Sequence, residues 1–222
     1  MTGVVDMPRY VWGVDSAATA DEELYTCVKS KLGKPKFWGR YLSESPNVSA
    51  GLTRAEISFL RNRGIKVLPI YNIFSDATGF EKGQLAARNA IFNARRLGIP
   101  NNVGLFANVE RFLVVDEAWI RGWVESIYPS GFRPGIYNDP VKGDFFVAYC
   151  EAVRKNKQVA VQTILWSAEP EPGVTKERNA PKFKPISPKC KANVWIWQYG
   201  RDSVDCPINT NLADQRALHY LY

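Results

Sequence analysis

The chain has one histidine, His219, among 222 residues, so catalysis through a Ser-His-Asp or Cys-His pair is improbable. It has two methionines and no apolar run long enough to cross a bilayer, so no membrane span is expected. The first nine residues lack a basic start followed by an apolar segment, so no secretory signal is read there. The first apolar run is not followed by a glycine-rich phosphate loop, which argues against a nucleotide site. Four cysteines, at 27, 150, 190 and 206, show no metal-ligand spacing, and neither metal nor cofactor is expected. Cys190 and Cys206 flank one predicted strand and would pair in an oxidising compartment; buried free thiols are the expectation in a reducing one. No internal repeat is visible.

Hydrophobic residues make up 45% and charged residues 23% of the chain, enough apolar matter for one sizeable core. The length suits one domain over 1–222, with its core at about 10–212. Seven tryptophans and ten tyrosines make the chain aromatic-rich, as carbohydrate sites often are. Core packing is the commoner use of such rings. The net charge of +7 favours an anionic partner, but no nucleic-acid motif accompanies it, and nucleic acid is not expected. A monomer is expected.

Strand and helix patterns alternate along the chain. Strands are predicted over 10–15, 37–42, 65–71, 103–110, 134–138, 163–167 and 194–199, with a last short one within 204–212. Helices are predicted over 20–31, 53–63, 80–97, 116–128 and 143–155, and a closing turn or helix over 212–222. Thr53 and Glu56 form a capping-box pattern. Between the sixth and seventh strands the helical pattern fails. Residues 169–191 hold five prolines and six basic residues against three glutamates, which reads as a long irregular loop. That loop suits anionic wall polymers and equally suits a solvated surface.

Alternation with near-continuous apolar strands implies a parallel sheet covered on both faces. Eight strands imply an α/β fold of the (β/α)8, TIM-like barrel type, irregular, with helices missing after the sixth strand. An open doubly wound sheet is the alternative.

The site of such a barrel lies at the C-terminal strand ends. Those ends carry Asp15; Tyr71 and Asn72; Asn108 and Glu110; Tyr137, Asn138 and Asp139; Ser167 and Glu169; and Trp197, Gln198 and Tyr199. The eighth region carries Asp205, Asn209 and Asn211. Acids and aromatics on one rim suggest glycoside hydrolysis, which needs a protonated acid and a second group for the anomeric centre. Asn108 and Glu110 are two apart on one strand and so share a face. Glu110 is the candidate acid, with its pKa raised by burial. Asp15 or Asp205 is the candidate second carboxylate. Glu110 could instead form a salt bridge with Arg40 or Arg111, and Asp15 could cap a turn.

The motifs Gly13-Val14-Asp15, Asn108-Val109-Glu110, Gly135-Ile136-Tyr137, Trp197-Gln198-Tyr199 and Val204-Asp205 occur in an order that resembles glycoside hydrolase family 25 lysozymes. Arg40-Tyr41-Leu42, Leu52 to Glu56 and Gly64 to Tyr71 resemble more closely the glycoside-hydrolase-like group called domain of unknown function 1906. The resemblance covers roughly residues 10–212. It implies an irregular barrel and a peptidoglycan-type polysaccharide containing N-acetylated sugars. It also implies action at the cell wall, after secretion or release by another route. It implies Glu110 as proton donor, with Asp15 and Asp205 lining the site. Arg40, Tyr41, Tyr71, Tyr137, Asp139, Trp166, Trp197, Gln198 and Tyr199 are the candidate substrate contacts, although strand alternation turns some of them away. The lysozymes carry Asp-x-Glu where this chain has Asn108-Val109-Glu110. An Asn there suits substrate-assisted cleavage, in which it orients the sugar's acetamido group. It equally suits a non-catalytic glycan-binding module on the same scaffold.

Overall fold

The computed structural model describes residues 9–222. Residues 1–8, which hold most of the segment where no secretory signal is read, lie outside the described residues. Eight strands close a barrel in chain order. They are β1 (Tyr10–Asp15), β2 (Phe37–Tyr41), β3 (Lys66–Tyr71), β4 (Gly104–Val109), β5 (Arg133–Asn138), β6 (Ile164–Ser167), β7 (Val194–Gly200) and β8 (Asn209–Asp214). The helices are α1 (Glu22–Lys31), α2 (Arg54–Arg61), α3 (Phe80–Arg96), α4 (Glu117–Ile127), α5 (Phe145–Lys155), the short α6 (Gln158–Gln162) and the closing α7 (Gln215–Leu218).

Seven strands run parallel, each to the next. The eighth corrects the expectation of a wholly parallel sheet. β8 pairs antiparallel with both β7 and β1. Its connection from β7 is short and helix-free, and a parallel partner would need a crossover. β8 also begins later than the predicted 204–212. The connection from β6 to β7 carries no α-helix, only a 3-10 turn at Glu177–Asn179, as its proline and charge content predicts.

The core has two parts. Between sheet and helices lie Trp38, Leu60, Val67, Leu105, Trp119, Trp123 and Ile136, among others. Inside the barrel lie Phe37, Leu68, Ile70, Phe106, Tyr137, Ile164, Trp166 and Ile196. Phe37 and Phe106 fill the lower lumen because their neighbours are glycines. A Cβ at Gly13 would come within 2.4 Å of the Phe37 ring, and one at Gly135 within 2.4 Å of the Phe106 ring. The barrel is therefore plugged below by apolar rings and open above to polar strand ends.

The cysteines correct the sequence reading. Cys27 on α1 is bonded to Cys206 in the β7–β8 connection, and Cys150 on α5 to Cys190 in the long loop. Neither the Cys190–Cys206 pairing nor free thiols is found among the described residues. Partners 179 and 40 residues apart in sequence cannot be read from spacing alone. Each bridge ties a helix-free connection to a helix, where packing by a further helix is missing. Replacing both cysteines of either pair with serine is expected to cost about 2–4 kcal/mol, measured by denaturant unfolding. An unchanged midpoint would show the bridges to be dispensable.

Candidate active site

Strand alternation sorts the candidate residues. On β2, Phe37 and Tyr41 face the lumen, and Arg40 between them faces the helices. On β7, Ile196 and Gln198 face inward while Trp197 and Tyr199 pack outward. The upper lumen is a cavity of about 170 Å³ lined by Asp15, Tyr41, Asn108, Glu110, Tyr137, Trp166, Gln198, Arg201, Asp202 and Asn209.

Asp15 lies at its base and is 7% exposed. Its Oδ1 accepts hydrogen bonds from Gln198 Nε2 at 2.9 Å and Asn211 Nδ2 at 2.7 Å. Its Oδ2 accepts one from Asn209 Nδ2 at 2.9 Å. Burial pushes the Asp15 carboxyl above its ordinary range, and the three amides and Arg201 oppose that shift. The amides are themselves held. Tyr137 OH donates to Gln198 Oε1 at 2.9 Å, and Trp166 Nε1 to Asn211 Oδ1 at 2.9 Å. The Asp202 amide donates to Asn209 Oδ1 at 2.9 Å.

Across the cavity, Asn108 Nδ2 donates to Glu110 Oε1 at 3.1 Å. Glu110 makes no ion pair among the described residues. Burial raises its pKa and Asp15 adds to the rise, while Asn108, Arg201 and Arg111 oppose it. Tyr41 lies near both carboxyls; burial first, then Asp15 and Glu110, hold its phenol protonated.

Several candidates do not reach this cavity. Arg40 is fully buried and pairs with Glu56, Nε to Oε1 at 2.5 Å. It also donates to the carbonyls of Ser16 at 2.9 Å and Ala17 at 2.7 Å. It therefore fixes the chain just past Asp15 and contacts no open space. The Thr53 cap forms, accepting from the Glu56 amide at 3.1 Å, but the Glu56 side chain turns to Arg40 and completes no reciprocal box. Tyr71 packs outward beside Trp123. Trp197 donates to the Pro170 carbonyl, and the Tyr199 hydroxyl accepts from Trp12 Nε1. Asp205 is exposed in a depression with Thr19, Asp21 and Cys27, away from Glu110. Asp139 accepts from the amides of Val141 and Lys142, closing the turn after β5, and reaches the cavity only through Arg201 at 3.7 Å.

Arg201 and Asp202 were not among the sequence candidates. Their one signal is position: they follow β7 directly, where a register shift between Gln198 and Gly200 turns the chain. Among the described residues, no group of three or more His, Cys, Asp or Glu is placed to hold a metal ion. No described helix is long and apolar enough to cross a membrane.

Residues 33–189 match the family described as Rv2525c-like, glycoside hydrolase-like domain. The chain belongs to that family. A crystal structure of an uncharacterized B. stearothermophilus protein is 63% identical, with a TM-score of 0.95 over 96% of this chain and 100% of that one. A family GH25 lysozyme from Aspergillus fumigatus is 14% identical, with a TM-score of 0.56 over 95% of this chain and 99% of the lysozyme. The modular autolysin LytC from Streptococcus pneumoniae, in complex with a synthetic peptidoglycan ligand, is 10% identical. Its TM-score is 0.56, over 91% of this chain and 46% of LytC. The last two likenesses show a shared barrel. No curated protein matches the sequence.

Two outcomes test the geometry. Glu56→Ala leaves the buried Arg40 charge unpaired and is expected to cost about 3–5 kcal/mol of stability. A loss below 1 kcal/mol, measured by denaturant unfolding, would contradict the pairing. Glu110→Gln removes a carboxylate whose folded pKa is raised. The native state of the wild type disfavours the charged form, so its stability falls as pH rises from the ordinary carboxylate range through the raised value. The variant is therefore expected to melt higher than wild type near pH 7 and equally near pH 3. A pH-independent difference would refute the burial effect.

Proposed function

We propose that this protein is a glycoside hydrolase acting on the N-acetylated glycan of peptidoglycan, with substrate-assisted chemistry. The observation that carries the reading is the Asn108–Glu110 hydrogen bond. An amide N–H donating to Oε1 leaves Oε2 to carry the acidic proton. The same bond orients the Asn108 amide so that its Oδ1 remains an acceptor. Among the described residues that oxygen accepts no hydrogen bond.

In the proposed reaction Glu110 protonates the bridging oxygen, and the bond from C1 to that oxygen breaks. The substrate's acetamido oxygen bonds to C1, and Asn108 Oδ1 accepts the acetamido N–H. Water then attacks C1, giving its proton to Glu110 and restoring the acetamido group. Asp15 supplies negative charge beneath the ring and holds the amide floor. Tyr41, Tyr137 and Trp166 wall the cavity. The synthetic peptidoglycan ligand carried by LytC and the barrel shared with the Aspergillus lysozyme support the substrate class. Two disulfides support action outside a reducing cytosol.

A second reading rests on Asn108 standing where the lysozyme pattern has a carboxylate: a barrel that binds glycan without cleaving it. Incubation with purified peptidoglycan and with chitooligosaccharides, with products read by mass spectrometry, separates the two. New reducing ends are expected from wild type, reduced about 10²–10⁴-fold in Glu110→Gln. The rate is expected to fall as pH rises through the raised Glu110 pKa, since the acid must be protonated. Glycan retention with no product from wild type would establish the binding module.

A further inference from the structure

We propose that the groove beyond Glu110 is a binding site for the leaving sugar, an uncharged pyranose that stacks on Phe112. The proposal rests on the hydrolase reading above. A groove of about 280 Å³ adjoins the polar cavity and shares Tyr41, Asn108 and Glu110 with it. Glu110 therefore stands at the junction of two spaces. With one ring in the cavity and the bridging oxygen at Glu110, the adjoining groove receives the other ring.

The two spaces differ in character. The cavity holds Asp15, Arg201 and Asp202. Beyond the shared residues, the groove is lined by Ser45, Val48, Asn72, Phe74, Phe112 and Leu113, none of which ionises. An uncharged ring fits such a lining. Phe112 is 77% exposed and Val48, on the β2–α2 connection, 50%. Both side chains line the same groove, where a bound ring would cover them.

The backbone that carries Phe112 is held by hydrogen bonds on both sides. The Leu113 amide donates to the Glu110 carbonyl at 2.9 Å, closing a tight turn with Phe112 inside it. The Ala77 amide donates to the Val114 carbonyl at 3.0 Å, and the Asp116 amide to the Ala77 carbonyl at 3.0 Å. The aromatic ring is thus tied to the acid by a turn of four residues, anchored against the α3 entry loop. A pyranose offers one face of C–H groups, which suits a flat ring, and hydroxyls at its edge, which suit Asn72 and Ser45.

The test is titration of N-acetylglucosamine oligomers of increasing length into the full chain. The Glu110→Gln background prevents turnover. Affinity is expected to rise once the oligomer is long enough to occupy cavity and groove together. Phe112→Ala is expected to weaken the longer oligomers about five- to ten-fold and leave the monosaccharide unchanged; Phe112→Trp is expected to retain the gain. Equal affinities of Phe112→Ala and its parent at every length would overturn the groove site and leave the hydrolase reading standing. If neither these oligomers nor peptidoglycan fragments bind the parent, the hydrolase reading falls, and the groove site with it.

Discussion

The upper barrel depends on the buried carboxylate of Asp15. A carboxylate shut away from water is costly unless hydrogen bonds replace its hydration. Here three side-chain amides do so, from Gln198 on β7 and from Asn209 and Asn211 on β8. Each amide oxygen is engaged in turn by Tyr137, Trp166 or the Asp202 backbone. One carboxylate thereby ties β1, β5, β6, β7 and β8 together at the end where the sheet closes through an antiparallel strand. No crossover helix braces that closure, and the polar network and the Cys27–Cys206 bridge take its place. The amides already engage both carboxylate oxygens of Asp15, so the proposed reaction falls to Glu110 and Asn108 on the opposite wall.

Arg40 is the second constraint. It connects the Glu56 carboxylate on α2 to the carbonyls just past Asp15. The pair is fully buried, where desolvation offsets much of its attraction, and through the Ser16 and Ala17 carbonyls it fixes the chain after β1. Asp15 is held by the amides, and the chain just past it by this pair. A fixed floor suits the proposed reaction, in which a sugar ring is held still while Glu110 transfers a proton.

Much of this was legible in the sequence. Period-two alternation placed Asn108 and Glu110 on one face, and the proline-rich stretch before β7 marked the missing helix. What escaped was set by tertiary contact. The direction of β8 follows from a connection too short for a crossover, which the turn-like sequence around 201–208 did not reveal. Arg40 and Tyr41 are adjacent, and only the lumen decides which of them faces in; the same ambiguity put Trp197 and Tyr199 beside Gln198 among the candidates. Asp205 had the right chemistry at the wrong place, because Cys206 draws that part of the connection toward α1. Arg201 lies just past a strand that the sequence pattern ended at Tyr199.

Glu110 as acid and the substrate's acetamido group as nucleophile make one claim about the reacting centre. Calorimetric titration with a thiazoline analogue of N-acetylglucosamine, a stable mimic of the cyclised sugar, tests it most directly. Binding at least about 10²-fold tighter than N-acetylglucosamine itself is predicted, as for other analogues of a transition state or intermediate. Affinity no greater than that of the plain sugar would contradict substrate-assisted cleavage at this site.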